Sequence, residues 1–557
     1  MQLQTFGQTP TTEITPSATG NYEPLAGDLV DDLDKFFAPV QLDLIDSLIG
    51  EYKGILNNMK SVVEFMDGQG FKSALHYFIE GNSSDSTRSA SVSSSRLFGL
   101  DGAVAYLNTT FWTRALALTD VYEAMPQARK DEWNEQIRNR TTPDFDEATV
   151  RSTMNALLSD RTKFFAERVD GIFRNLSGDH VTNRPEAFYK RFIIAGLTDK
   201  YGSIDYSRAG VIHDLRAVVA RFVGRQEPTF GTSHPLLEAM KRRFGDWHSI
   251  DGGSFRMRLY KKGTIHCEVH PDIAWKLNSI LATLYPMAIP PKFRTKPKAK
   301  PREFTALQRP LPFSVIQLLS GMKHPGHVGR DLITENPYAL RFEYSDGCKV
   351  SKREAEAVLT KIGGVRLNTN AFFWFEFDYN PREALDEIIT SGVIPCARSH
   401  QFYPTPESLA DDAIALAGEE AGDTFLEPQA GLGGLACKMP QDRTLCIELS
   451  SLHCRVLRAK GFTTIEADFL RWATETDRRF SCVIMNPPFA DGRALAHLQA
   501  ASTLVTPNGR LVAILPASMK HVDVLPGWDL KWTKTYANEF DGTGVSVVMV
   551  KATRVTH

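Results

Sequence analysis

The chain has 557 residues, too many for one hydrophobic core, so two to four domains are expected. Its 42% hydrophobic and 23% charged residues are those of a globular protein, and a net charge of -2 means that any nucleic-acid contact must come from a local basic surface. The longest apolar runs, such as Val545 to Val550, fall far short of the roughly 20 residues of a membrane span, and the amino terminus lacks the basic start and apolar core of a signal peptide. A cytoplasmic protein is expected. The seven cysteines, at positions 267, 348, 396, 437, 446, 454 and 482, form no CxxC pair, which argues against a disulfide framework or a zinc ribbon; no metal site is expected.

Residues 1–26 are rich in Thr, Pro, Gly and Ser without hydrophobic period and read as a disordered tail. Residues 27–290 read as a mostly helical domain. Within it Ile45, Leu48, Ile49, Tyr52, Ile55, Leu56, Met59, Val62, Val63 and Met66 form one stripe along a long helix. A helix packed inside its own domain is favoured over a dimerising coiled coil, because the stripe spans few heptads. A serine-rich stretch from Asn82 to Ser95 reads as a loop, and helical patterns resume through Phe111-Trp112, Glu132-Trp133 and Asp144 to Phe173. Near 255–270 the alternation in Phe255 to Tyr260 and Ile265 to His270, joined by Lys261-Lys262-Gly263-Thr264, predicts a β-hairpin. Arg256, Arg258, His266 and His270 on its polar face are either phosphate contacts or simply solvated. The same alternation sends Cys267 to the face opposite both histidines, which argues against a shared metal.

Residues 291–303 form a basic linker, since Lys292 to Arg302 carries six positive charges, no negative ones and prolines that keep it extended. Lys296, Lys298, Lys300 and Arg302 are its candidate phosphate-backbone contacts, with a merely solvated linker as the alternative. Residues 304–395 read as a small α+β unit, from Leu340 to Tyr344, a helical Lys352 to Lys361 and Phe372 to Phe377.

Residues 396–557 change rhythm. Apolar runs at Thr424 to Leu426, Leu445 to Ile447, Thr464-Ile465, Cys482 to Met485 and Leu511 to Ile514 alternate with helical stretches such as Ser450 to Arg458 and Ala494 to Leu504. This is the βαβ rhythm of a parallel, Rossmann-like sheet, whose ligands sit at the carboxyl ends of the strands. The candidate functional residues fall at those ends. After the first strand comes Glu427-Pro428-Gln429-Ala430-Gly431-Leu432-Gly433-Gly434, in which Gly431 and Gly433 let a ligand approach the backbone and Glu427 can accept from a ligand amine. After the second stands Glu448, placed to bind both ribose hydroxyls of an adenosine-containing cofactor; after the third stands Asp468, placed either to accept from an adenine amine or to cap a helix.

After the fourth strand stands Asn486-Pro487-Pro488-Phe489, which resembles the [Asn/Asp/Ser]-Pro-Pro-[Tyr/Phe/Trp] active-site motif of the amino-methyltransferases of nucleic acids. The residue types suit the chemistry. An exocyclic amine is a poor nucleophile because its lone pair is delocalised into the ring, so the enzyme must favour a pyramidal nitrogen. The Asn486 side-chain oxygen and the Pro487 carbonyl can accept the two amino hydrogens, the prolines fix the loop, and Phe489 offers a face for an extruded base.

The resemblance runs from Phe402 to the end. Phe402-Tyr403-Pro404-Thr405-Pro406 looks like the family's motif ahead of the first strand, and this motif order is that of the γ group of N6-adenine DNA methyltransferases. It implies a class I fold and S-adenosyl-L-methionine as cofactor, held by Tyr403, Pro404, Thr405, Glu427, Gly431, Gly433, Glu448, Asp468 and Phe469. Phe540 to Val545 and Val547 to Val550 look like the closing antiparallel hairpin. Two departures stand out: the stretch between Gly433 and Glu448, cut by Pro440, has room for only a short helix, and no target-recognition domain follows the last strand. Phe111-Trp112, Phe173 to Ser177, Asn183 and Lys262 to His266 also resemble an uncharacterised domain found ahead of methylases in phages and mobile elements.

The reading that results is a DNA adenine-N6 methyltransferase that flips its target base and shields a mobile element's DNA from restriction enzymes. Alternatives are an RNA enzyme (guanine N2 or adenine N6), a protein-glutamine methyltransferase, and a non-catalytic nucleic-acid-binding anti-restriction protein. Cytosine N4 needs the same acceptors as adenine N6.

Overall fold

A computed structural model describes residues 42–67, 98–119, 121–297, 308–328, 331–343, 348–369, 372–394, 403–540 and 544–555. The expected tail, the serine-rich stretch, Lys298, Lys300, Arg302 and Phe402 lie outside the described residues. The chain divides into two compact units, residues 1–230 with 260–306, and residues 231–259 with 307–557. Residues 231–259, inside the 27–290 segment of the sequence reading, thus group with the second unit.

The first unit is mostly helical. The stripe seen in the sequence lies on helix Leu42–Asp67, and its first half, Ile45, Leu48, Ile49 and Tyr52, is buried against Leu107, Phe111, Trp112 and Phe145. The helix therefore packs within its own unit. The Tyr52 hydroxyl and the Phe145 N–H both donate to Asn108 Oδ1, at 2.6 and 3.2 Å, which satisfies the polar groups that this aromatic cluster buries. Two antiparallel strands, Arg191–Ile194 and Ile265–Val269, pair beside the helices; the first was not foreseen. The turn before the second is closed by Tyr260 N–H donating to Thr264 O at 2.9 Å. His270 is no free surface group: its Nδ1 accepts from the Asp272 N–H at 3.2 Å and caps helix Pro271–Leu284.

Inside this unit, on helix Glu147–Arg174, the Arg168 side chain is 0% exposed. Its guanidinium donates to Asp214 at 2.6 Å, Glu227 at 2.7 Å and the Glu123 carbonyl at 2.9 Å. Burial works against the Glu227 charge, but Arg168 and Arg221 outweigh it and hold that carboxyl below its ordinary range. Breaking such a set from one side leaves buried charge uncompensated, so Arg168→Met should cost about 3–5 kcal/mol. Urea unfolding of the full chain, followed by tryptophan fluorescence, should show a transition shifted to lower denaturant; midpoints all unchanged would contradict this account.

In the second unit, helices Phe313–Ser320, Lys349–Lys361 and Arg382–Ser391 and the antiparallel pair Val365–Asn368 and Phe373–Glu376 precede a seven-stranded sheet. Its strands are β1 (Phe425–Glu427), β2 (Thr444–Glu448), β3 (Thr463–Glu466), β4 (Phe480–Met485), β5 (Val505–Pro516), β6 (Trp528–Trp532) and β7 (Val547–Arg554). The spatial order is β3-β2-β1-β4-β5-β7-β6, parallel except for β7, which runs antiparallel to both β5 and β6. The 3-2-1-4-5 order of the parallel strands is that of doubly wound nucleotide-binding sheets, and the order reverses between β1 and β4. Four helices flank the sheet: α1 (Glu407–Ala417), α2 (Ser451–Ala459), α3 (Phe469–Glu475) and α4 (Arg493–Thr503).

The central strands are apolar on both faces because both faces are covered. Leu426, Val483 and Met485 pack with Phe469 of α3 and Leu498 of α4, whereas Phe425, Cys482 and Ile484 pack with Leu409 and Ala413 of α1 and Leu457 of α2. The crossover from β1 to β2 is abbreviated as expected, with the 3-10 turns Ala436–Lys438 and Gln441–Arg443 on either side of Pro440 in place of an α-helix. One expectation needs correction: the strand paired with β7 in the closing hairpin is β6, and the described residues Phe540, Gly544 and Val545 belong to no strand. In β6 Trp528, Leu530 and Trp532 alternate with exposed Asp529 and Lys531, the period of an edge strand, whereas Phe540 is buried in the core with Phe425 and Met549.

Candidate active site

A cavity of about 810 Å³ opens at the carboxyl ends of β1, β2, β3 and β4, where a doubly wound sheet binds its ligands. All the cofactor-site residues expected from the sequence line it, from Tyr403, Pro404 and Thr405 through Glu427, Gly431, Gly433, Glu448, Asp468 and Phe469. So do Asn486, Pro487, Pro488 and Phe489. Lys296, on the linker, is exposed just past the short helix Pro291–Arg294.

The glycine loop after β1 shapes the floor. Gly433 has φ +84°, a conformation that favours glycine. Gly434 lets Thr405 approach, because a Cβ there would stand 3.2 Å from the Thr405 carbonyl oxygen. Glu427 is only 2% exposed. Its carboxyl accepts from the backbone N–H groups of Ala436 and Leu435, yet its Oε2 has no hydrogen-bond partner among the described residues. Burial first, and the neighbouring Glu448 charge second, push its pKa well above the ordinary carboxylate range.

Glu448 behaves oppositely. Its Oε1 accepts from Ser450 N–H at 2.7 Å and its Oε2 from Gly431 N–H at 2.8 Å, with His453 Nδ1 3.8 Å away. Burial raises its pKa, but His453 and the two backbone donors outweigh that and hold the carboxyl below its ordinary range. Each oxygen keeps a second lone pair for a ligand hydroxyl. Asp468 has the capping role weighed against ligand binding: its Oδ1 accepts from Arg471 N–H at 3.0 Å and starts α3. It lines the cavity as well.

Thr405 reaches the motif after β4. Asn486 Nδ2 donates to Thr405 Oγ1 at 3.1 Å, which fixes the carboxamide and leaves Asn486 Oδ1 without a partner among the described residues. Pro487 is buried. Phe489 is half-buried, touching both core layers while still lining the cavity. Cavity residues that sequence reasoning missed include Gln429, His497, Lys460 and Asp378. Lys460 Nζ lies 2.9 Å from Asp378 Oδ2, so the segment before the sheet contributes to the wall. Gln429 lies inside the glycine loop itself, a position that was a readable signal; His497 and Asp378 carried none.

Residues 104–287 match the model of a domain of unknown function (DUF4942). No curated protein matches the sequence. Among solved structures, TrmN from Thermus thermophilus is 17% identical, with a TM-score of 0.24, over 38% of this chain and 69% of that one. The M protein of the type I restriction enzyme EcoKI is 17% identical, with a TM-score of 0.25, over 32% of this chain and 52% of that one. A precorrin-6y C5,15-methyltransferase from Geobacter metallireducens GS-15 is 15% identical, with a TM-score of 0.22, over 27% of this chain and 88% of that one.

Proposed function

We propose that the chain is a class I, S-adenosyl-L-methionine-dependent methyltransferase acting on adenine N6 in DNA, a modification that protects a mobile element's DNA from restriction. The observation that carries this reading is the Asn486 carboxamide. It is held by Thr405, keeps Oδ1 unpartnered among the described residues, and shares one cavity with Glu427, Glu448 and Asp468. The residues fit the cofactor. Glu427 Oε2 is a buried acceptor awaiting a donor, which suits an ammonium, and Glu448 presents spare lone pairs for a ribose diol. The volume falls within the roughly 300–1,000 Å³ of small-molecule sites.

When bound, the cofactor supplies an electrophilic methyl group on a sulfonium. The protein's own part is to position and to polarise. Asn486 Oδ1 and the Pro487 carbonyl accept the two hydrogens of the target amine and favour the pyramidal nitrogen of the transition state. Pro487 and Pro488 keep those acceptors in place without further ordering cost. Phe489 gives a flipped base an aromatic surface. In the sequence, Phe489 and the Phe402 to Pro406 motif favour a DNA over a protein acceptor by resemblance.

The test is incubation of purified protein with labelled cofactor and DNA, RNA or protein, followed by digestion and mass spectrometry of the products. N6-methyldeoxyadenosine is expected; label found only in RNA or protein overturns the DNA assignment.

A further inference from the structure

The least expected polar group in the cavity is Gln429. Its Nε2 donates to His497 Nδ1 at 2.7 Å, so His497 is neutral with its own proton on Nε2. Gln429 Oε1 is buried and has no partner among the described residues. A buried acceptor left unmade is costly, which makes it a marker for a ligand donor. Its surroundings say which donor. The His497 ring lies 5.7 Å from that of Phe469, and His497 is within electrostatic reach of Asp468 and Arg493. Gln429 is thus tied through His497 to the β3 end of the cavity.

We infer that the Gln429 carboxamide, held by His497, is a second acceptor for the exocyclic amine of the cofactor's adenine, making the site selective for adenosine over a 6-oxo nucleoside. The inference rests on the methyltransferase reading. That cofactor brings three sets of donors. Glu427 is matched to the ammonium and Glu448 to the ribose hydroxyls, which leaves the adenine amine. The amine has two hydrogens, and the β3 end of the cavity offers two acceptors for them: Asp468 beside Phe469, and Gln429 Oε1. A 6-oxo ring offers an acceptor at that position instead and would set oxygen against oxygen at both. His497 is a positioning residue here, acting only through the orientation it gives Gln429.

The experiment is calorimetric titration of the full chain with S-adenosylhomocysteine and with S-inosylhomocysteine, its 6-oxo counterpart. Wild-type protein should prefer the adenosyl form by about tenfold or more. Gln429→Leu should weaken adenosyl binding about tenfold while inosyl binding does not weaken, because the opposing oxygen is gone, so the preference narrows. His497→Phe, which keeps an aromatic ring in α4 but removes the acceptor for Nε2, should narrow the preference in the same direction and serves if the leucine variant does not fold. Variants that keep the wild-type preference overturn the Gln429 assignment alone. Wild-type protein that binds neither compound overturns it together with the reading on which it rests.

Discussion

Asn486→Ala should slow methyl transfer by about 10²- to 10³-fold while S-adenosylhomocysteine binding stays within about twofold, because the side chain acts on the amine in the transition state. The geometry sharpens the expectation. Asn486 Nδ2 is engaged by Thr405 Oγ1 at 3.1 Å, so the oxygen is turned to acceptor duty by a bond that alanine lacks. Thr405→Val, similar in shape but without the hydroxyl, should release the carboxamide and cost about tenfold in rate, the worth of one hydrogen bond. Single-turnover assays with labelled cofactor and saturating DNA separate this from weaker binding. A Thr405→Val protein slowed as severely as Asn486→Ala would mean that Thr405 does more than hold the amide. An Asn486→Ala protein of normal rate would remove the site assignment altogether.

The sheet was legible because its strands are short apolar runs ended by polar or glycine-rich loops, and the residues that face a ligand are the first ones after each run. Glu427, Glu448, Asp468 and Asn486 were found that way, and the doubly wound order brings them to one cavity. Long-range choices were not legible. Phe540 to Val545 was read as the partner of β7 on family resemblance, although Trp528, Leu530 and Trp532 alternate strictly with Asp529 and Lys531; what pairs with β7 is decided across the sheet. Nothing local marks Arg168 as buried; its partners Asp214 and Glu227 lie 46 and 59 residues away, and an arginine on a helix is read as solvated until they are known. The Gln429–His497 bond spans 68 residues and joins a loop to a helix face. Asp468 shows a different limit, since its capping and cavity-lining roles looked like alternatives in one dimension and are compatible in three.

Glu427 joins the fold's stability to its function, and its substitution is expected to move them in opposite directions. The carboxyl is almost wholly buried, one oxygen has no partner among the described residues, and burial together with Glu448 raises its pKa well above the usual range. A carboxyl whose folded pKa exceeds its unfolded one stabilises the protein below the unfolded value, and that contribution is lost as pH rises through the folded value. At neutral pH the ligand-free protein therefore carries a strained acid. Glu427→Gln removes the titration, so its melting temperature should fall less between pH 5 and 8 than that of the wild type. The same change removes the partner for a ligand ammonium, and affinity for S-adenosylhomocysteine should drop by about 10- to 100-fold, as for a charge-assisted hydrogen bond. An ammonium beside Glu427 favours the ionised form, so wild-type binding should release protons, and the release should vanish in the glutamine variant. Titration calorimetry in two buffers of different ionisation enthalpy measures that release. Equal proton release by both proteins would place the proton on another group and leave the unpartnered oxygen of Glu427 without its ligand.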